Sequence, residues 1–129
     1  MDYLTPQQIL FLHHRLIETS GGAHGVRDLG ALQAAAARPQ ATFDAANLYS
    51  DLFAQAAALM EYIIKNHPFV DGNKRTAIAA AGIFMRRNGY RIEASQEELY
   101  RFTISMTEGT AGRTDAESWF RTHVRPAGS

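Results

Sequence analysis

His67-Pro68-Phe69-Val70-Asp71-Gly72-Asn73-Lys74-Arg75-Thr76 joins two apolar stretches of different kinds, and the contrast between them organises the chain. Before it, Leu52, Phe53, Ala56, Leu59, Met60, Ile63 and Ile64 recur at intervals of three and four, the repeat of one helical face. That spacing predicts an amphipathic helix over about 48–66. Pro68 disfavours helical geometry at the residue before it, so the helix ends near His67 and the histidine sits on a loop. After the loop, Ala77 to Met85 is apolar nearly all round and small at Ala79, Ala80, Ala81 and Gly82. This predicts a central, buried helix over about 73–88 that neighbouring helices approach closely. Arg86 and Arg87 in its last turn and Gly89 just after it suit a helix C-terminus.

Toward the amino end, Thr5-Pro6-Gln7-Gln8 combines a threonine cap, proline at the first helical position and glutamine three residues after the cap, with Leu4 and Ile9 as a hydrophobic staple. The helix runs to about Glu18 and ends at Gly21-Gly22. Asp28 opens a shorter helix, Leu29 to Ala37, expected to stop before Arg38-Pro39. Residues 39–47 read as a loop with Phe43 extended or in a hairpin. Toward the carboxyl end, Ser95 with Glu98 and Thr114 with Glu117 read as capping boxes opening helices of about 96–108 and 115–124. Residues 1–125 thus read as one compact all-α domain of about six helices with a small loop or hairpin flap, and 126–129 as a loose tail.

With 129 residues, 46% hydrophobic and 20% charged, the chain suits one ordinary globular domain and excludes disordered and collagen-like classes. The absence of cysteine excludes a disulfide framework, a thiolate nucleophile and a cysteine zinc site, and predicts a cytoplasmic protein. Ala77 to Met85 is the longest apolar run and is too short to span a membrane. Thirteen basic and thirteen acidic residues give a net charge of zero, so no global field favours nucleic acid and no direct nucleic-acid binding is expected. The positive charge is local: between Lys65 and Arg91 stand six basic residues and one acidic residue, Asp71.

Lys74 and Arg75 fall in the first turn of the expected buried helix, where unpaired N–H groups and the helix dipole already present positive charge. The economical explanation is a bound anion, held in a phosphate cradle of backbone donors, lysine and arginine. Beside it stand His67, able to take a proton near neutral pH, and Asp71, able to bind Mg²⁺ or orient a hydroxyl. These are the parts that phosphoryl or nucleotidyl transfer to a protein hydroxyl requires. The glycine spacing and the Ser/Thr of a P-loop are missing. Blander roles stand beside these: Asp71 as a helix cap, Asn73 as a brace of the loop backbone, and Phe69 as a core anchor. Arg27, Asp28 and Arg38 read as a structural ion-pair cluster, and His13, His14, His24 and His123 show no metal-ligand spacing.

His67-Pro68-Phe69, Asp71-Gly72-Asn73 and Lys74-Arg75 together resemble the signature loop of the Fic/Doc (Fido) superfamily, and specifically its death-on-curing toxin branch. Gly25-Val26-Arg27-Asp28 with Ala37-Arg38-Pro39, and Phe84 to Gly89, are similar to two further stretches of that branch, so the resemblance covers roughly residues 4–120. It implies His67 as general base, and Asp71 as the group that orients base or nucleophile or holds Mg²⁺. Gly72, Asn73, Lys74 and Arg75 are implied as the phosphate-binding set, with Gly72 letting the backbone come close. AMP-transferring members have glycine where this chain has Lys74 and a second arginine where it has Ile78. The resemblance therefore implies a kinase that moves the γ-phosphate of ATP to a Ser/Thr hydroxyl of a translation elongation factor of the Tu class. It also implies an antitoxin whose C-terminal tail folds into a groove of the toxin, and a flap at residues 39–47 that clamps a target segment by main-chain pairing. An inhibitory glutamate within the chain is not expected, because Ile104 stands where the Glu108-Gly109 motif needs Ser or Thr. The alternatives are AMP transfer to a protein hydroxyl and a catalytically silent antitoxin-binding module.

Overall fold

In the computed structural model, which describes residues 1–128, the elements run α1 (Pro6–Ser20), α2 (Leu29–Ala37), a 3-10 turn (Arg38–Gln40), β1 (Thr42–Phe43), β2 (Ala46–Asn47), α3 (Leu52–Asn66), α4 (Asn73–Arg87), β3 (Tyr90–Ile92), α5 (Gln96–Glu108), α6 (Arg113–His123) and β4 (Val124–Pro126). The fold class is all-α, as the sequence suggests, with two short antiparallel ribbons added. Among the described residues, no helix is long and apolar enough to cross a membrane.

Local chemistry sets the helix starts. Thr5 Oγ1 accepts from the Gln8 N–H while Gln8 Oε1 accepts from the Thr5 N–H, and Ser95 and Glu98 repeat this reciprocal pair at α5. Asp28 and Asp51 cap α2 and α3 through the N–H groups of Ala31 and Ala54, each at 2.9 Å. The Asp51 cap starts α3 at Leu52, later than the apolar periodicity alone suggests. At the other end of α2, Arg38 keeps right-handed helical geometry (φ −56°, ψ −43°) although Pro39 follows, and the chain tightens into a 3-10 turn instead of leaving the helix.

Two expectations at the carboxyl end are corrected. α6 begins at Arg113, because the Gly112 N–H donates to Asp115 Oδ2 at 2.8 Å and the Arg113 N–H donates to Glu61 Oε2 of α3 at 2.9 Å. Glu117 is not part of a capping box and pairs with Arg121 instead. Beyond α6, Pro126 and Ala127 of the expected tail are not loose: Val124, Arg125 and Pro126 pair with Ile92, Arg91 and Tyr90, and the Ala127 N–H reaches the Gly89 carbonyl at 2.8 Å. Strands of three residues carry too little alternation to announce themselves. Ser129, the last residue of the expected tail, lies outside the described residues.

The flap is a hairpin. Thr42 pairs with Asn47 and Phe43 with Ala46 across a two-residue turn in which Asp44 and Ala45 both have positive φ, 51° and 64°. Both strands are exposed.

The most deeply placed helix is α3, with ten of its fifteen residues buried against seven of fifteen in α4. Small residues on the two helices, Ala56 and Ala57 with Ala77, Ala80 and Ala81, are fully buried and let the backbones come close. α4 is therefore not sealed all round, because Ile78, Ala79 and Ile83 stay partly open along its outer face. Phe102 stacks on Trp119 at 4.2 Å and joins α5 to α6.

Candidate functional site

The loop between α3 and α4 is fixed by main-chain pairing to residues 23–28. Val26 and Phe69 form an isolated antiparallel bridge, the Val70 N–H donates to Gly25 O, and the Arg27 and Asp28 N–H groups both donate to Pro68 O. Phe69 is fully buried and anchors the loop in the core. The Asn73 side chain closes the loop on itself, its Oδ1 accepting from the Phe69 N–H at 3.0 Å and its Nδ2 donating to Phe69 O at 2.9 Å. Its amide is thus the brace among the two roles open to it, which leaves its backbone N–H for a ligand.

His67 caps α3 in left-handed geometry, φ 47° and ψ 63°, a conformation uncommon outside glycine. It is held there by Arg27, whose Nε donates to the His67 carbonyl and whose Nη2 donates to the Asn66 carbonyl, both at 2.6 Å. Arg27 thereby satisfies the last carbonyls of α3 and supplies positive charge to the negative helix end. The expected ion-pair cluster does not form: Asp28 caps α2, and Arg38 lies over the Tyr49 ring at 5.3 Å. The His67 imidazole is exposed and, among the described residues, has no hydrogen bond or ion pair, so both ring nitrogens remain available. It borders an open groove of about 630 Å³ with Arg27, Tyr62, Lys65 and Asn73.

Asp71 is held differently. Its Oδ2 accepts from the Ala23 N–H at 3.0 Å and its Oδ1 from the Gly72 N–H at 2.8 Å. These two donors, with Arg75 nearby, hold the carboxyl below the ordinary aspartate range. Asp71 is not the cap of α4, whose N-cap is Gly72 with no side-chain hydrogen bond, and it does not bond to His67. Behind it, His13 is buried, stacks face to face on Phe69 at 3.9 Å, and places Nε2 2.7 Å from the Asp71 carbonyl. A carbonyl only accepts, so Nε2 carries the hydrogen. Burial pushes the pKa of this imidazole down, and the bond to Asp71 opposes that shift without cancelling it.

At the start of α4, Gly72 has φ 75°, and a Cβ there would lie 3.1 Å from Ile17 Cδ1 and 3.3 Å from Arg75 Nη2. Its glycine character therefore serves the turn and the close seat on α1. The N–H groups of Asn73, Lys74 and Arg75 have no acceptor among the described residues, and the first intrahelical bond runs from the Thr76 N–H to Gly72 O. Lys74 is exposed. Arg75 donates through Nη1 to Gly21 O at 2.9 Å and to Ser20 Oγ at 3.1 Å, so it also closes the end of α1. Lys74, Arg75 and Ile78 line a second groove of about 500 Å³ with Leu99, Tyr100 and Thr103 of α5.

The structure thus gathers Asp71, Gly72, Asn73, Lys74 and Arg75 at one uncapped helix end and sets His67 on the adjoining lip, facing the first groove. For Mg²⁺, the fitting donor is the Asp71 carboxylate, which keeps lone pairs beyond the two N–H bonds; such an ion takes most of its ligands from phosphate oxygens and water. Sequence reasoning missed three contributors: Arg27 as the clamp of His67, His13 as the support of Asp71, and Gly22. At Gly22 (φ 115°) a Cβ would lie 2.7 Å from Asp71 Oδ2 and 3.0 Å from Arg75 Nη2.

Comparison with known proteins identifies the family. The chain is 51% identical over 93 residues to a protein of Mycolicibacterium smegmatis (strain ATCC 700084 / mc(2)155) named Toxin Doc, covering 72% of this chain and 65% of the relative. It is 36% identical over 109 residues to the Protein kinase doc of Escherichia phage P1, covering 84% and 85%. The match thus spans just under two thirds of the mycobacterial relative's length. Residues 3–85, which include α1, the paired loops and nearly all of α4, match the Fic/DOC family, and the chain belongs to that family.

Proposed function

We propose that this protein is a death-on-curing type toxin with protein kinase activity, transferring the γ-phosphate of ATP to a Ser/Thr hydroxyl of a translation elongation factor of the Tu class. The observation that carries the reading is the uncapped start of α4, which bears three unpaired N–H groups, Lys74 and Arg75, and whose first residue, Asn73, borders the groove that the unencumbered His67 lines. Such an end holds phosphate oxygens by backbone donors, dipole and charge together. His67 accepts the proton of the protein hydroxyl while that oxygen bonds to the γ-phosphorus and ADP leaves. Lys74, Arg75 and the N–H groups of residues 73–75 stabilise the charge that develops on the phosphoryl oxygens. Mg²⁺ at Asp71 would supply neutralisation of phosphate charge.

Kinase activity is favoured over AMP transfer by Ile78, which presents an apolar side chain to the groove that Lys74 and Arg75 line. A relative named as a protein kinase supports the same choice. The flap hairpin offers exposed strand edges for main-chain pairing with a target segment. Two apolar grooves that meet at Ile83 offer the antitoxin tail a seat, one lined by Ile78, Ala79 and Leu99 and the other by Phe11 and Leu12 of α1. Phe11 is 63% exposed, as a side chain awaiting an amphipathic helix would be.

The test is paired labelling of a bacterial lysate with ATP carrying its tracer on the α- or γ-phosphate, with wild type and His67→Ala side by side. A His67-dependent band of elongation-factor size with γ label alone is the expected result. The same band with α label would move the chain to AMP transfer, and neither label would leave a target missing from the lysate or an antitoxin-binding module.

A further inference from the structure

Away from the loop that carries His67 and Asp71, three ligand-type side chains converge on the last turns of α1. His14 and Glu18 share one helical face, four residues apart. His24 returns onto that face from the segment after α1, where Gly21, Gly22 and Gly25 all have positive φ (84°, 115° and 126°) and fold the chain back. Glu18 Oε1 lies 3.0 Å from His24 Nε2 and 3.7 Å from His14 Nε2, the two imidazole centroids are 4.7 Å apart, and all three donor atoms fall within 4.8 Å of one another.

An isolated surface ion pair stabilises little and needs one histidine. Here two imidazoles approach the same carboxylate oxygen. A tetrahedral ion with metal–ligand bonds of about 2.0–2.1 Å sets its ligand atoms about 3.3 Å apart, and the two Glu18 separations straddle that spacing. We propose that His14, Glu18 and His24 form a site for a divalent transition ion of the zinc class, with its remaining coordination open to solvent. Two imidazole nitrogens with one carboxylate select such an ion over Mg²⁺ and Ca²⁺, which take all-oxygen sets. All three residues are exposed, so the ion enters directly from water.

The site adjoins that loop through one residue. His24 follows Ala23, whose N–H holds Asp71 Oδ2.

The experiment is isothermal titration of tag-free protein with Zn²⁺, and separately with Mg²⁺, on wild type, His24→Ala, Glu18→Gln and His67→Ala, with circular dichroism confirming that each variant is folded. The expected result is a single Zn²⁺ bound by wild type and His67→Ala alike, with affinity at least about tenfold lower in His24→Ala and in Glu18→Gln. Zn²⁺ binding that survives His24→Ala, that disappears in His67→Ala, that Mg²⁺ matches, or that wild type lacks would each overturn the proposal.

Discussion

The guanidinium of Arg27 holds the carbonyl of His67 across forty residues of sequence, at 2.6 Å from Nε, and takes the Asn66 carbonyl with its other arm. The position of the proposed base therefore depends on a side chain from outside the loop that carries it. Lysine cannot reproduce a two-pronged hold, so Arg27→Lys is as damaging as Arg27→Ala. Both should lower His67-dependent γ-label transfer by about 100-fold with the helical circular-dichroism spectrum retained. Transfer within twofold of wild type in Arg27→Lys would mean the fork is dispensable.

Gly22→Ala places a Cβ against Asp71 Oδ2 and Arg75 Nη2 at a backbone angle that alanine rarely adopts. The substitution should destabilise the fold by about 1–3 kcal/mol, read as a lower midpoint in urea. An unchanged midpoint would show that residues 21–25 relax without cost.

His13→Phe keeps an aromatic ring on Phe69 but removes the donor to the Asp71 carbonyl. Losing a donor to a partly buried acceptor should cost about 1–3 kcal/mol. Denaturation that matches wild type would reduce the role of His13 to packing alone.

Burial works to raise the pKa of Asp51, and the Ala54 N–H with the Arg121 guanidinium at 2.8 Å more than offset it, so the carboxyl titrates below its ordinary value. A carboxyl whose pKa is depressed by folding stabilises the native state above its unfolded pKa, and that contribution is lost as pH falls through the folded one. Asp51→Ala should cost about 1 kcal/mol at neutral pH. Its gap to wild type should then narrow as pH is lowered from about 5 to about 2. A gap of constant size down to the lowest pH would exclude the ionised carboxylate as its source.

What the sequence made legible was what neighbouring residues encode. The Thr5 and Ser95 caps, the apolar repeat of α3 and the break at Pro68 each act within a few residues, and each appears where expected. The Gly25-Val26-Arg27-Asp28 stretch was visible as a resemblance, yet its work is done across the fold, by a bridge to Phe69 and a clamp on His67 that leave no local pattern. Asp28 and Arg27 are adjacent charges that suggest a cluster, but each faces a different helix end. Thr114 with Glu117 met the rule for a capping box, and Glu61 on α3 supplied a competing acceptor that moved the start of α6. His24 meets His14 and Glu18 after a turn at Gly21 and Gly22, which spacing along the sequence does not reveal.

The ribbon of β3 and β4 has a practical consequence for handling the protein. The Ala127 N–H is tied to Gly89, and at the other extremity Asp2 pairs with Arg87 and exchanges hydrogen bonds with Asn88. Both extremities of the described chain are thus moored at the far end of α4. At about 1.5 Å of rise per residue, the end of α4 at Arg87 lies about 18–20 Å from Lys74 and Arg75. A fluorophore or surface tether attached at Asp2 or Ala127 therefore sits away from the helix end proposed to bind phosphate.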